Sequence, residues 1–128
     1  MKITTFNPQI VTKNAEPLVS LFEELGFKKR HEMENIGEKD FTGIRMKDEN
    51  GFCIDIAQTD SELPVDRDIM AIRMNVDDFD EAYGLLLSRG FKNFYGDKII
   101  ETPVSRSAMM MSPTGLQINL IQHMKKGE

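Results

Sequence analysis

The 128 residues contain no tryptophan, one cysteine (Cys53) and two histidines (His31 and His123). A lone cysteine excludes an intrachain disulfide and fits a reducing compartment. Two histidines exclude a His-rich zinc site. No apolar run approaches the ~18 residues that a membrane helix needs. The first residues, Met1-Lys2-Ile3-Thr4-Thr5-Phe6-Asn7-Pro8, lack the apolar core of a secretory signal, so a cytoplasmic location is expected. Positive charge is also in deficit, with 16 Lys and Arg against 21 Asp and Glu, a net charge of −5. That argues against nucleic acid and anionic membrane as partners, because both demand a basic footprint. The hydrophobic fraction of 40% and charged fraction of 29% are those of an ordinary globular protein. A chain of this length is expected to form one domain, 1–128, able to bury its own core.

The most informative positive feature is an internal repeat. Displacing the chain by 64 residues superposes Leu21 on Leu85, Gly26 on Gly90, Phe27 on Phe91, Met46 on Met110, Gly51 on Gly115 and Gln58 on Gln122. The structural punctuation repeats with the identities. Each half reads as strand, helix and three strands, over 3–58 and 69–122. Residues 59–68, with Asp60, Ser61, Glu62 and Pro64, form the linker, and 123–128 a polar tail.

In the first half a strand is expected near Ile3–Thr12, then a helix over about 15–25 with Asn14 as N-cap. Leu18, Leu21, Phe22 and Leu25 make one apolar helical stripe. Gly26 ends it. Strands follow near 27–34, 41–48 and 52–58. In the second half Ile69–Val76 reads as a strand. Asp78 and Glu81 form a capping box, and Phe79, Ala82, Tyr83 and Leu86 repeat the stripe before Gly90. Strands are expected near 91–95, 106–112 and 116–122, with Gly96–Ser105 as a long loop.

Two hairpins set the register. Glu49-Asn50-Gly51 and Pro113-Thr114-Gly115 both place glycine third in a three-residue loop, the pattern of a type I turn closed by a left-handed residue. Asp48 then pairs with Phe52 and Ser112 with Leu116, so Arg45 faces Asp55 and Met109 faces Asn119. Alternation sends Phe52, Ile54 and Ile56, and likewise Leu116, Ile118 and Leu120, toward the helices. Arg45, Asp55, Ala71, Arg73, Asn75, Met109, Met111, Gln117 and Asn119 fall on the opposite, concave face.

The repeated βαβββ unit, Leu25-Gly26-Phe27 after the first helix, Val76-Asp77-Asp78-Phe79-Asp80-Glu81-Ala82 before the second, and Ser112-Pro113-Thr114-Gly115-Leu116-Gln117-Ile118-Asn119-Leu120 at the end resemble the vicinal oxygen chelate superfamily. The resemblance runs from about residue 3 to 122. It implies an α+β fold of two βαβββ modules in tandem, with mixed sheets curling around a concave cleft. The superfamily's metal enzymes take ligands from the first, fourth, fifth and last strands. Those positions are here Phe6 or Asn7, Asp55, Ala71 and Asn119. One carboxylate remains where about three strong ligands are wanted. Asn7-Pro8-Gln9-Ile10-Val11-Thr12-Lys13-Asn14 is similar to the proline-bearing first strand of the metal-independent, bleomycin-resistance-like branch, which implies a homodimer and ligand binding without a cofactor.

The expected ligand-binding residues are Arg45, Asp55, Arg73, Met109, Met111, Gln117 and Asn119, with no metal. Guanidinium and amide groups suit carboxylate or carbonyl oxygens, and a pair of methionines forms an adaptable apolar wall. The plainer alternatives are a cross-strand ion pair for Arg45 and Asp55, and core or dimer packing for the methionines. The expected function is metal-independent binding of a small molecule, as in antibiotic or metabolite sequestration. The alternative is a divalent-metal-dependent lyase or dioxygenase built on Asp55. Cys53, His31 and His123 are expected to be inert, and Glu101 is placed to act as a lid residue on the long loop.

Overall fold

A computed structural model describes residues 1–34, 41–60, 63 and 65–124. The tail 125–128 and part of the linker lie outside the described residues. In chain order the elements are β1 (Ile3–Thr12), α1 (Glu16–Glu24), β2 (Lys28–Glu34), β3 (Phe41–Lys47), β4 (Cys53–Thr59), β5 (Ile69–Val76), α2 (Phe79–Ser88), β6 (Lys92–Asn93), β7 (Ile100–Thr102), β8 (Ser105–Met111) and β9 (Gln117–His123). No helix among the described residues is long and apolar enough to cross a membrane. The chain forms two compact units, Asn7–Met70 and Met1–Phe6 with Ala71–Glu128.

In the Asn7–Met70 unit the strands run in the order β2-β3-β4-β1. β1 and β4 are parallel with Gln9 opposite Asp55, and the other neighbours are antiparallel. Helix α1 lays Leu18, Val19 and Phe22 on a core of Ala15, Ile44, Met46, Ile54 and Ile56. The expected stripe is therefore only half right. Leu21 and Leu25 are exposed, because a nine-residue helix ending in Leu25 as C-cap turns only one narrow face to the sheet.

The N-terminus of α1 also differs from expectation. Ala15, not Asn14, is the N-cap. Its backbone N–H donates to Gln58 Oε1 of β4 at 2.7 Å, while the Asn14 N–H donates to Thr12 Oγ1 at 3.2 Å. A side chain from the sheet reaches the unpaired helix donor that a local cap would otherwise satisfy.

In the other unit the order is β5-β9-β8-β6, with β7 on β8. β5 and β9 are parallel, and β8 is antiparallel to its neighbours. Phe79, Ala82, Tyr83 and Leu86 of α2 face Met74, Ala108, Met110, Ile118 and Leu120, as their spacing predicts. Asp78 caps α2 by accepting from the Glu81 N–H at 3.1 Å. Arg106 lies over the buried Phe79 ring, 4.7 Å from its centroid, and pairs with Asp80 and Glu101 at 3.0 and 3.2 Å. Glu101 is thus tied to a strand neighbour.

Two strand expectations need correction here. The strand near 91–95 is only Lys92–Asn93, because Asn93 folds the chain back on itself. Its Oδ1 accepts from Tyr95 N–H at 3.0 Å and its Nδ2 donates to Lys98 C=O at 2.8 Å. The long loop contains β7, which pairs Ile100 with Ser107 and Thr102 with Ser105.

Both hairpins have the expected form. Asp48 N–H donates to Phe52 C=O at 3.0 Å and Ser112 N–H to Leu116 C=O at 2.8 Å. Gly51 and Gly115 stand at φ +89° and +100°, the left-handed region that such a loop requires at its third residue. The register follows, with Arg45 opposite Asp55 and Met109 opposite Asn119. Phe52 and Leu116 do not reach the helix layer. They flank the turns beyond the strand ends, and Phe52 is 67% exposed.

Candidate ligand site

The face of each sheet turned away from its helix carries the candidate residues. In the Asn7–Met70 unit they converge on Asp55. Arg45 Nε donates to Asp55 Oδ1 at 2.9 Å, and Asn7 Nδ2 donates to Oδ2 at 3.1 Å. The Arg45 and Asp55 side chains are 33% and 5% exposed. Asp55 is buried because Gln9 on β1 and Arg45 on β3 flank it on the neighbouring strands. Both of its oxygens are engaged. Among the described residues Arg45 is held through Nε, and its side chain is one-third exposed. A guanidinium so fixed presents two donors in a plane to an oxygen acceptor.

Of the two first-strand candidates, Asn7 reaches Asp55, whereas Phe6 has the opposite strand parity and is exposed. The anchoring role of Asn7 has no signal in the sequence. β1 and β4 are parallel, so no turn between them fixes their register.

In the unit built on Ala71–Glu128 the candidates form cross-strand rows. Arg73 stands opposite Asn119, which stands opposite Met109, and Gln117 stands opposite Met111. Arg73 Nε donates to Asn75 Oδ1 at 3.3 Å, and its Nη2 lies 3.3 Å from His123 Nε2. Met109 and Met111 are half-buried. Gln117 is 8% exposed, and its Oε1 is buried with no hydrogen-bond partner. The structure therefore joins Arg45 to Asp55 in one unit, and aligns Arg73, Met109, Met111, Gln117 and Asn119 in the other.

The positions that the resemblance gives as metal ligands, Asn7 and Asp55 in one unit and Ala71 and Asn119 in the other, offer few donors for a divalent cation. The one carboxylate already receives a guanidinium and an amide. Ala71 offers a buried methyl group, and Asn7 and Asn119 offer only amides, which bind such ions weakly. Among the described residues no group of three or more His, Cys, Asp and Glu side chains is placed to hold a metal. Cys53 is free and half-buried, with its sulfur 3.7 Å from Gly51 C=O. His123 is exposed at the end of β9, and the side chain of His31 lies outside the described residues. An open depression of about 570 Å³ at Lys13, Asn14, Asp66, Arg67 and Asp68 contains none of the expected residues.

No protein-family model matches the sequence, and no curated protein matches it. Solved structures do match its fold. Methylmalonyl-CoA epimerase from Mycobacterium tuberculosis is 16% identical, aligns over 96% of this chain and 90% of its own, and gives a TM-score of 0.68. A hypothetical protein from Bacillus halodurans C-125 is 13% identical over 100% of this chain and 99% of its own, with a TM-score of 0.69. Streptomyces coelicolor methylmalonyl-CoA epimerase, solved in complex with 2-nitronate-propionyl-CoA, is 16% identical over 95% of this chain and 99% of its own, with a TM-score of 0.62. The chain thus shares its α+β fold with these proteins, the fold expected from the resemblance to the vicinal oxygen chelate superfamily.

Proposed function

We propose that this chain is a metal-independent small-molecule binding protein that works by sequestration, nearest in kind to the bleomycin-resistance branch. The observation that carries the reading is the state of Asp55. The one carboxylate among the four ligand positions is committed on both oxygens, to Arg45 and Asn7. The positive charge on that face is a built-in guanidinium, and its terminal nitrogens, which no hydrogen bond among the described residues engages, suit a carboxylate, carbonyl or phosphate oxygen of a ligand. A fold hosts many functions, so the weight rests on these side chains and not on the likeness to epimerases. We include a homodimer in the reading. Pro8 inside β1 cannot donate to a sheet ladder, and Met109 and Met111 leave thioether surface for a ligand or a second copy to cover.

Native mass spectrometry before and after incubation with Zn²⁺, Ni²⁺, Mn²⁺ and Fe²⁺ tests the proposal. A dimer mass without stoichiometric metal is the expected result. One metal per chain surviving desalting would overturn it and restore a metal-dependent lyase or dioxygenase. A thermal-shift screen then identifies the ligand class. Acyl-CoA thioesters belong in that screen, because a structural neighbour was solved with 2-nitronate-propionyl-CoA. Arg45→Ala should abolish the thermal shift produced by any anionic hit.

A further inference from the structure

Of the seven asparagines in the chain, only Asn50 precedes a glycine. Such a pair carries its own reaction. The backbone nitrogen of the following residue can attack the side-chain carbonyl carbon and close a cyclic imide. Glycine permits this best, because it has no Cβ to crowd the nucleophile. The other described asparagines are blocked. Asn7 precedes Pro8, whose nitrogen has no hydrogen to lose. The Ala15 N–H after Asn14 is held by Gln58 at 2.7 Å. Asn75 and Asn93 are buried, and Asn119 precedes the buried Leu120.

Asn50 stands in the loop between β3 and β4, where residues 49–52 are exposed. Among the described residues its side chain makes no hydrogen bond. Asp48 restrains the turn. Its Oδ1 accepts from the Asn50 and Phe52 N–H groups at 3.0 and 2.8 Å. Its C=O accepts from the Gly51 N–H at 3.1 Å. The Gly51 nitrogen is thus both the nucleophile and a group that Asp48 holds.

We infer that Asn50 is a site of spontaneous covalent modification, deamidation through the Gly51 nitrogen, gated by the hold of Asp48 on the turn. Hydroxide removes the Gly51 amide proton once its bond to Asp48 opens. The nitrogen then bonds to Asn50 Cγ. The bond from Cγ to Nδ2 breaks, and ammonia leaves with its third proton taken from water. A water molecule next opens the imide. Attack at Cγ restores the chain with aspartate at position 50. Attack at the backbone carbonyl carbon leaves the chain running through Cγ, as isoaspartate. Each product adds a negative charge beside Asp48 and Glu49. The isoaspartate also adds a backbone atom to a loop whose length sets Asp48 opposite Phe52. The second hairpin cannot follow, because Pro113-Thr114-Gly115 carries no side-chain amide. The modification therefore acts on the unit that holds Arg45 and Asp55, and it stands independently of the binding reading.

The test incubates the full-length protein at mildly alkaline pH and follows the tryptic peptide 48–67, whose one asparagine is Asn50, by mass spectrometry. That peptide should gain the mass of one amide-to-acid exchange and split into two products. One of them should be methylated by an isoaspartate-specific methyltransferase. Asn50→Gln should abolish the gain, since a longer side chain closes the ring poorly. Asp48→Ala should speed conversion of the folded chain about tenfold, the weight of one turn hydrogen bond. In guanidinium chloride the parent and Asp48→Ala should convert at one rate, because no turn remains to open. The parent should itself convert at least about tenfold more slowly folded than unfolded, an arm that holds even where Asp48→Ala fails to fold. Conversion of another asparagine before Asn50 would overturn the inference. So would a folded parent that never converts while the unfolded chain does, or equal folded rates for the parent and Asp48→Ala.

Discussion

Asp55 and Asn119 stand 64 residues apart, at matching places on the last strand of each module. The same 64-residue displacement relates Arg45 on β3 to Met109 on β8, and Asn7 on β1 to Ala71 on β5. In the first module these positions hold a guanidinium, a carboxylate and an amide bonded to one another. In the second they hold a methionine, an amide and a methyl group. The same displacement relates Gln58 to Gln122, and here one contact is shared. Each glutamine accepts, at 2.7 Å, from the backbone N–H at the start of its helix, at Ala15 and Phe79. The Phe27 N–H bonds to Phe22 C=O as the Phe91 N–H bonds to Leu86 C=O. Positions that satisfy obligatory backbone groups have stayed alike, and positions on the helix-free faces have diverged. The skeleton is shared because its hydrogen-bonding requirements are shared. The faces differ because each meets different chemistry.

The sharpest test of that equivalence is also the largest effect. Met46 and Met110 are wholly buried in corresponding cores. Met46→Ala and Met110→Ala should each destabilise by about 2–5 kcal/mol in urea unfolding. A neutral result at one position would break the comparison.

Asp55→Ala should come next, at about 2–3 kcal/mol, since it leaves a part-buried guanidinium and an amide without their acceptor. Converting the first face to the chemistry of the second, with Arg45→Met and Asp55→Asn together, should restore most of that loss. A double-mutant cycle measures the coupling. Strict additivity would show that the pair contributes nothing to stability.

Gly51→Ala and Gly115→Ala should each lose about 1–2 kcal/mol, because a Cβ is disfavoured in the left-handed region. Nothing lies within 4 Å of a Cβ built at Gly115, so strain alone sets the loss there. A rise in melting temperature for either variant would contradict the turn assignment.

Gln58→Ala and Gln122→Ala should each lose about 1 kcal/mol, as loss of a helix cap does. Gln122 should lose slightly more, because its Nε2 also donates to Asp77 C=O at 2.9 Å. The smallest effect belongs to Tyr95, whose phenol burial pushes up above its ordinary value. The folded chain then holds that proton longer than the unfolded chain. Stability is intact below about pH 10 and falls as pH rises toward the folded-state value. Tyr95→Phe should flatten that alkaline decline in a pH series of thermal melts.

The element order apart from β7, the helix ends at Gly26 and Gly90, and the register of both hairpins are legible in the sequence. Each is governed by groups a few residues apart, through left-handed glycines, apolar alternation and the spacing of helical stripes. From the hairpin register alone, Arg45 falls opposite Asp55 and Met109 opposite Asn119. Only the tertiary structure decided that Asn7 completes the Asp55 cluster, that Gln58 rather than Asn14 serves the start of α1, and that Gln117 is buried with its oxygen unpaired. The reason is the same in each case. These groups meet across parallel strands or between sheet and helix, where no turn fixes the register and burial depends on the whole packed layer.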